Sequence, residues 1–454
     1  MKKLIFIIFG STGDLTSRKL LPAIQKLYQD KDIPEESLVI ALGRKAYDTN
    51  SYLEEMNRSI HGQLDLRMLN KIVHYHQIQI TNLNEYERLK QLLEQYADKA
   101  TRQLFYLAVG PDLFIDVSRN IYQSGLVEKG NETQAVIFEK PFGHDLESAT
   151  KINHELWEFF TEKQIFRIDH YLGKEMIQNL LTVRFANRIF EDVWYNRAIK
   201  NVKIIVKETA GIHNRGGYYD QAGALKDMVQ SHLIQMLCLI AMEVPLSYYS
   251  EDVKNEKVKV IENISIEKES IVFGQYDGYL NEEKVSPDST TDTFVFLKAF
   301  VNTPRFKGVP FYLMTGKKLD TKQSVIIIEF EETIEQRKWN LPLSTNKLFI
   351  KIDPEDGVGL RLNSKVPGLT SKTEEVELEY FTSSSNAFGN KSEAYEKLLL
   401  DAATYHKSLF TRWDEIELAW RLIDQIKDLE PTLHPYHHFD DLKAIILEKD
   451  EHAL

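Results

Sequence analysis

Four reactive side chains follow one apolar run within residues 166–175. Asp169, His170, Tyr171 and Lys174 supply a carboxylate, an imidazole, a phenol and an ammonium. The apolar run before them is typical of a short buried strand, and open α/β sheets bind ligands at the carboxyl ends of their strands. Hydrogen-bond donors beside an ammonium suit a phosphate or another ligand rich in oxygen. The pattern predicts a binding site, and the alternative is a solvated turn with a structural ion pair.

The composition of the chain limits its class and its partners. With 454 residues, 43% of them hydrophobic, the chain can bury a large core and is expected to form two domains. The net charge of −12 argues against nucleic acid as a partner. The single cysteine, Cys238, lies in an apolar run, which indicates a buried thiol in a reducing compartment.

Targeting signals are not expected. The apolar run at residues 4–9 is short and leads into a glycine-rich turn, which favours a first buried strand over a signal peptide. The chain also contains no apolar run of the roughly 18 residues that a spanning helix needs. The expectation is therefore a cytoplasmic protein without a membrane partner.

The first part of the chain alternates between apolar runs and amphipathic stretches, as a doubly wound parallel sheet does. Strands are predicted at residues 4–9, 38–42, 72–80, 103–109, 135–139 and 165–168. Helices are predicted at residues 85–96, 113–122 and 146–160. This pattern indicates an α/β, Rossmann-like domain over residues 1–170.

The second part of the chain has a different pattern. Long alternating segments predict strands at residues 202–208, 292–301, 324–330, 348–352, 359–362 and 374–381. A helix is predicted at residues 223–242 among them. The fold prediction is thus α/β plus α+β, with a large, mostly antiparallel sheet domain over residues 171–454.

The turn after the first strand has the features of a dinucleotide-binding site. It consists of Gly10, Ser11, Thr12, Gly13, Asp14 and Leu15. The glycines permit a tight turn, and the N-terminus of the following helix offers free N–H groups to a pyrophosphate. An ordinary glycine turn is the alternative, because the pattern departs from G-x-G-x-x-G. Pro22 is expected to kink or restart the helix.

The end of the second strand indicates which dinucleotide would bind. An NAD site favours an acidic residue there, whereas the 2′-phosphate of NADP favours arginine. Here Arg44 and Lys45 follow Gly43, which predicts NADP. The alternative for Arg44 is a surface ion pair with Asp48 or Glu54.

Two further residues are candidates by position. Lys140 follows a predicted strand and precedes Pro141, so it can face a ligand, or it can be a surface lysine. His232 lies on a largely apolar helix, where a lone histidine is more often a core residue than a base. A polar, glycine-rich segment at residues 207–220 precedes the same helix and favours a functional histidine.

Several blocks in order along the chain resemble the glucose-6-phosphate dehydrogenase family. They are FGSTGDLTSRKLLP, EKPFGHDLESA, FRIDHYLGKEMIQN, RGGYYDQAGALKDMVQSHLIQM, GVPFYLMTGKKL and LFTRWDEIELAW. The resemblance implies an NADP-dependent oxidoreductase of glucose metabolism, the enzyme of the first oxidative step of the pentose phosphate pathway. It also implies glucose 6-phosphate as substrate and a homodimer or homotetramer.

The same resemblance implies roles for individual residues. His232 would be the general base, and Asp169 would be the carboxylate that orients it. The sugar phosphate would be bound by His170, Tyr171 and Lys174. The sugar would be bound by Lys140, Glu208, Asp227, Lys317 and Lys322. The NADP site would be lined by Gly10, Ser11, Thr12, Gly13, Asp14, Leu15, Arg44 and Lys140.

The chain departs from the family pattern at Met314, where an arginine is usual, and this could weaken an ion pair behind Lys317. No metal-ligand spacing is present. Two other functions remain open from the sequence. One is a different two-domain NADP-dependent sugar dehydrogenase, which would not require phosphate ligands, and the other is a non-catalytic NADP-sensing relative.

Overall fold

The computed structural model describes residues 3–247, 250–339, 344–382, 393–427, 429 and 432–454. Its strands, in chain order, are β1 Leu4–Phe9, β2 Leu38–Gly43, β3 Val73–Gln77, β4 Arg102–Leu107, β5 Gln134–Phe138, β6 Ile165–Ile168, β7 Ile199–Lys207, β8 Ile264–Tyr276, β9 Phe294–Val301, β10 Pro310–Gly316, β11 Gln323–Phe330, β12 Lys347–Asp353, β13 Gly357–Lys365, β14 Thr373–Phe381, β15 Phe410–Thr411 and β16 Leu433–Tyr436.

Its α-helices are α1 Leu21–Gln29, α2 Thr49–Ser59, α3 Leu66–Ile72, α4 Leu83–Glu94, α5 Phe114–Gln123, α6 Leu146–Phe159, α7 Glu175–Phe185, α8 Arg188–Glu191, α9 Gly216–Ala224, α10 Ile234–Ala241, α11 Ser250–Glu262, α12 Ile334–Trp339, α13 Ala394–Thr404, α14 Trp413–Lys427 and α15 Phe439–Lys449. Two segments, Thr16–Leu20 and Leu225–Leu233, are π-helical. Among the described helices, none has the length and apolar character needed to cross a bilayer.

The first sheet has seven strands in the order β15-β6-β5-β4-β1-β2-β3. All of its pairings are parallel except that of β15 with β6. All six residues of β1 are buried, as expected of a central strand covered on both faces. The predicted doubly wound, Rossmann-like sheet is confirmed.

The second sheet has nine strands in the order β14-β13-β12-β11-β7-β10-β9-β8-β16. Its pairings are antiparallel except β7 with β10 and β8 with β16. The predicted large, mostly antiparallel sheet is confirmed, but β8, β10 and β16 were not predicted as strands. In β8 the pairing register shifts between Glu267 and Val272, which interrupts the alternation that identifies a strand in sequence.

Contacts divide the chain into two compact units. One contains Met1–Gly173, Tyr248–Lys254 and Ser392–Asp414, and the other contains Lys174–Ser247, Asn255–Lys391 and Glu415–Leu454. The predicted boundary at residue 170 lies close to the end of the first segment. The prediction differs from the structure in making each domain continuous, because later segments of the chain complete the first unit.

Helix α13 shows how a distant segment joins the first unit. Its residues Leu398, Leu399 and Ala402 are almost fully buried in the same apolar core as Leu4 and Phe6 of β1. The core of the parallel sheet therefore depends on residues almost 400 positions later in the chain.

Candidate functional site

The turn after β1 is shaped for close backbone packing. Gly10 has a φ of +79°, and a Cβ atom at this position would lie 2.3 Å from the carbonyl oxygen of Ala108. The Gly13 N–H donates to the Gly10 carbonyl at 3.0 Å, and the Ser11 N–H donates to Leu42 at 2.9 Å. The turn thus requires glycine at its first position, and it holds the backbone as a phosphate-binding turn would.

The helix that follows this turn begins at Asp14 and includes Leu15. Asp14 is exposed and forms an ion pair with Arg18 at 2.6 Å, while Thr12 is partly buried. The first turns are π-helical up to Leu20, and α1 then begins at Leu21 with Pro22 near its N-terminus. Pro22 was expected to kink or restart the helix, but residues 14–29 are helical without a break, and the proline lies where the π-helical turns pass into α1.

Arg44 is exposed at the end of β2. The Gln77 side chain donates a hydrogen bond to the Arg44 carbonyl at 2.9 Å. Asp48, the alternative partner of Arg44, instead accepts a hydrogen bond from the Ser51 N–H at 2.8 Å and caps α2. This hydrogen bond lowers the pKa of Asp48, so its carboxylate is committed to the cap.

The end of β5 contains a partly buried carboxylate, Glu139, next to Lys140. Glu139 accepts hydrogen bonds from the hydroxyl groups of Tyr106 and Tyr395, the latter at 3.1 Å. Burial raises the pKa of Glu139, although both hydrogen bonds oppose that effect. Lys140 is partly exposed, and its peptide bond to Pro141 is cis. The two tyrosines were not identified from the sequence.

The polar residues after β6 are fixed by local hydrogen bonds. Asp169 is 2% exposed, and its Oδ1 atom accepts a hydrogen bond from the Tyr171 N–H at 2.9 Å. The rings of His170 and Tyr171 lie 5.0 Å apart, and Tyr171 is buried. The predicted carboxylate, imidazole and phenol therefore lie together at the carboxyl end of this strand.

Lys174, which belongs to the second unit, precedes α7 at the N-cap position. Its Nζ atom lies 3.4 Å from the Oδ2 atom of Asp353, and the Nζ atom of Lys322 lies 3.0 Å from the same oxygen. Burial lowers the pKa of Lys174, while Asp353 opposes this shift. Two predicted substrate-binding lysines thus contact the carboxylate of Asp353. Asp353 was not identified from the sequence.

His232 is 1% exposed and lies on the π-helical segment Leu225–Leu233. The predicted helix at 223–242 is interrupted at its start, because Gly223 has non-helical angles, φ 65° and ψ 176°. On the same segment, Asp227 accepts a hydrogen bond from the Tyr218 hydroxyl at 3.2 Å. π-helical turns occur often at functional sites, and here one carries two of the predicted site residues.

Glu208 and Lys317 form an ion pair through Oε2 and Nζ. Lys317 is buried, its Nζ atom lies 5.1 Å from the centre of the Tyr219 ring, and its carbonyl accepts a hydrogen bond from Tyr436 at 2.6 Å. Burial first, and then the charge of Asp227, raise the pKa of Tyr219. Three of the four predicted sugar-binding residues of this unit, Glu208, Asp227 and Lys317, therefore lie near one tyrosine, whereas Lys322 pairs with Asp353.

Both halves of the chain match models of one enzyme family. Residues 7–179 match "Glucose-6-phosphate dehydrogenase, NAD binding domain", and residues 181–441 match "Glucose-6-phosphate dehydrogenase, C-terminal domain". The chain belongs to the glucose-6-phosphate dehydrogenase family. The sequence resemblance is thereby confirmed.

Individual members of the family are similar over nearly their full length. Glucose-6-phosphate 1-dehydrogenase of Bacillus subtilis is 39% identical over 94% of this chain and 91% of that protein. A solved glucose-6-phosphate dehydrogenase in complex with its substrate glucose-6-phosphate is 33% identical, with a TM-score of 0.89 over 98% of this chain and 97% of that chain. The Mycobacterium avium enzyme is 30% identical, with a TM-score of 0.84 over 96% and 93% of the two chains.

Met314 is the position at which this member of the glucose-6-phosphate dehydrogenase family departs from the expected arginine. It is 2% exposed and belongs to an apolar cluster that also includes Phe296 and Tyr312. Lys317 has its carboxylate partner in Glu208, so the ion pair at this lysine does not require an arginine at 314.

Proposed function

We propose that this chain oxidises glucose 6-phosphate to 6-phosphogluconolactone with hydride transfer to NADP, the first oxidative step of the pentose phosphate pathway. The observation that carries this proposal is that both halves of the chain match the dehydrogenase family, over residues 7–179 and 181–441. A solved relative in complex with glucose-6-phosphate covers 98% of the chain.

The turn after β1 and the end of β2 fit NADP. The close approach of Gly10 to Ala108 leaves no room for a side chain, and the helix N-terminus that follows favours an anion. Arg44 is exposed and can bind a 2′-phosphate. When bound, NADP supplies the hydride acceptor. The residues that would hold it are Gly10, Ser11, Thr12, Gly13, Asp14, Leu15, Arg44 and Lys140.

His232 is the proposed general base. Oxidation at the anomeric carbon requires removal of the hydroxyl proton, and an imidazole nitrogen can accept it. Asp169 is the proposed orienting carboxylate, which would accept a hydrogen bond from the other imidazole nitrogen and stabilise the charged ring. The Tyr171 N–H bound to Asp169 Oδ1 supports this role, because it fixes the direction of the carboxylate.

Substrate binding is assigned to two sets of residues. For the phosphate we assign His170, Tyr171 and Lys174, which provide donors and charge. For the sugar we assign Lys140, Glu208, Asp227, Lys317 and Lys322. The ion pair of Glu208 with Lys317 supports the second set, because paired charges hold each other in place before the substrate binds.

The direct test is a spectrophotometric assay of NADP reduction by the purified protein with glucose 6-phosphate and, separately, with free glucose. We expect rapid reduction with the phosphorylated sugar and little with glucose, because only the former offers the phosphate. Equal rates with both sugars would favour a different sugar dehydrogenase. No reduction with either sugar, while NADP still binds in calorimetry, would favour a non-catalytic NADP-sensing relative.

We also propose that the protein forms a homodimer or homotetramer, as a cytoplasmic enzyme. The outer strand β14 supports self-association, because Leu378 and Tyr380 are 59% and 52% exposed on one face. Their paired residues on β13, Leu360 and Val358, extend the same apolar face. Exposed apolar surfaces of this kind mark interaction sites. Light scattering after size-exclusion chromatography should give a multiple of the chain mass, and Leu378→Glu should reduce it.

A further inference from the structure

Three tyrosines pack beneath the turn that carries Arg44. The rings of Tyr52 and Tyr75 stack with centroids 4.8 Å apart and planes 26° apart. Tyr47 meets Tyr75 edge-on at 5.7 Å. Tyr52 is fully buried, whereas Tyr75 is partly buried on β3. The cluster therefore connects the core of the first unit to the end of β2.

Two side chains of β3 hold the backbone of this turn. The Tyr75 hydroxyl donates a hydrogen bond to the Lys45 carbonyl at 2.6 Å, and the Gln77 side chain donates to the Arg44 carbonyl at 2.9 Å. The parallel pairing places Tyr75 opposite Ala41 and Gln77 opposite Gly43, so both side chains reach the turn from the neighbouring strand. Two successive peptide groups next to the Arg44 side chain are thus fixed.

The same tyrosines also connect this turn to the turn after β1. A Cβ atom on Gly43 would lie 2.7 Å from the Tyr75 hydroxyl and 2.9 Å from Cγ2 of Thr12. The Tyr52 hydroxyl donates a hydrogen bond to the Ser11 carbonyl at 3.1 Å. Because Tyr52 stacks on Tyr75, the two turns are held by one pair of stacked rings.

The Tyr75 hydroxyl stays a donor over the physiological pH range. Burial, followed by the nearby Tyr47, raises the pKa of Tyr75 to about 12. A carbonyl oxygen can only accept, so the bond to Lys45 requires the protonated phenol.

We propose that Tyr75 is a positioning residue that fixes the Gly43–Lys45 turn for the 2′-phosphate and thereby sets the preference for NADP over NAD. The inference rests on the proposed role of Arg44 in binding that phosphate. A guanidinium binds a phosphate best when its planar donors are correctly oriented, and this orientation begins with the backbone. NAD lacks the 2′-phosphate, so it does not depend on the position of Arg44.

The test compares Tyr75→Phe with wild type in kcat/KM for NADP and for NAD, at saturating glucose 6-phosphate. The phenylalanine keeps the stacked ring and removes only the hydroxyl. We expect kcat/KM for NADP to fall about 3- to 10-fold, the range for one lost hydrogen bond, with NAD changed by less than about twofold. Equal losses for both cofactors would overturn the proposal.

Tyr47→Phe is the matched control, because it removes a phenol from the same cluster without touching the bond to Lys45. Its ratio of NADP to NAD efficiency should equal that of wild type, and a shift as large as that of Tyr75→Phe would contradict the assignment. Thermal melts of each variant show whether a loss of activity reflects unfolding. Unfolding would lower kcat/KM for NADP and for NAD by the same factor.

Arg44→Ala separates the inference from the proposed function. This substitution should reduce kcat/KM for NADP roughly tenfold or more and leave kcat/KM for NAD nearly unchanged. If it does not, the proposed cofactor site is wrong. If it does, adding Tyr75→Phe to Arg44→Ala should produce little further loss with NADP. An undiminished loss in the double variant would mean that Tyr75 acts independently of Arg44, and only the inference would fail.

Discussion

Asp353 brings two proposed substrate-binding lysines to one point. Lys174 and Lys322 both contact its Oδ2 atom, at 3.4 and 3.0 Å. Burial opposes ionisation of Asp353, but the hydrogen bond from Lys322 and the charge of Lys174 lower its pKa overall. The carboxylate thus acts as a counter-ion for two ammonium groups. A phosphate could interact with the same groups, because it offers more acceptor oxygens and a larger charge.

The first prediction concerns these lysines. Lys174→Ala should raise the KM for glucose 6-phosphate roughly tenfold or more, since a charge-assisted hydrogen bond is lost, with a smaller effect on kcat. Steady-state kinetics measure both. Lys200→Ala is a matched control, because Lys200 is a lysine of the same unit that pairs with a different carboxylate, Glu329. An unchanged KM in Lys174→Ala would rule out the phosphate role.

The second prediction concerns the proposed base. His232→Asn should lower kcat by roughly two to four decades, because a positioned general base contributes about that much, while substrate affinity changes little. Asp169→Asn should lower kcat less, through loss of imidazole orientation. If His232→Asn kept near-normal turnover, His232 would be a core residue. A larger loss in Asp169→Asn would make Asp169 the better candidate for the base.

At the scale of elements, the segment that carries His232 is held at its start by a distant carboxylate. Asp292 Oδ2 accepts a hydrogen bond from the Leu225 N–H at 2.8 Å, and its carbonyl accepts one from Ala224 at 2.8 Å. A Cβ atom on Gly223 would lie 2.5 Å from Asp292 Oδ1, so a glycine is needed at this break. Asp292 therefore caps the π-helical segment in place of a local N-cap side chain.

The third prediction follows from the pKa of Asp292. Burial raises it from 3.8 to about 6, although the Leu225 hydrogen bond opposes the shift. Because the folded-state pKa is above the unfolded value, this group contributes most stability below about pH 4, and the contribution is lost as pH rises through about 6. The free energy of unfolding of wild type minus that of Asp292→Asn should therefore fall by about 3 kcal/mol in total from about pH 3 to about pH 7.

Denaturant unfolding at several pH values measures this difference. Asp220→Asn is the control with the opposite sign, because hydrogen bonds to Ser289, Ser286 and Tyr279 lower the pKa of Asp220 despite burial. Its contribution is present at higher pH and is lost as pH falls through the lowered pKa. If the difference in free energy of unfolding between wild type and Asp292→Asn did not change with pH, Asp292 would not be preferentially protonated in the folded state.

Sequence patterns predicted single elements better than the pairs of residues that support them. The bounds of β1 and β6 agree with the predicted 4–9 and 165–168, because β1 is a fully apolar run and β6 is apolar except for Arg167. The π-helical segment was predicted as ordinary helix, since both have apolar residues at helical spacing. Asp353 could not be linked to Lys174, 179 positions earlier, because local periodicity carries no information on such contacts.

At the scale of the whole molecule, the fold class could be predicted from the sequence, but the set of chain segments that forms each unit could not. Alternating helices and strands indicated the parallel sheet, and alternating apolar residues indicated the antiparallel one. No local sequence pattern indicates that α13 and β15 belong to the first unit. β15 has only two residues, Phe410 and Thr411, and α13 has the apolar spacing of any amphipathic helix.

The last prediction concerns the integrity of the first unit. A fragment of residues 1–173 lacks α13, which buries Leu398 and Leu399 at 1% exposure each and supplies Tyr395 to Glu139. Burying two leucines stabilises by about 3–6 kcal/mol, a large part of the 5–15 kcal/mol typical of a folded protein. The fragment should therefore show no cooperative thermal transition by circular dichroism, whereas the same fragment joined by a flexible linker to residues 393–414 should regain one. A cooperative transition of the short fragment at the temperature of the linked one would show that the later segments do not stabilise the parallel sheet.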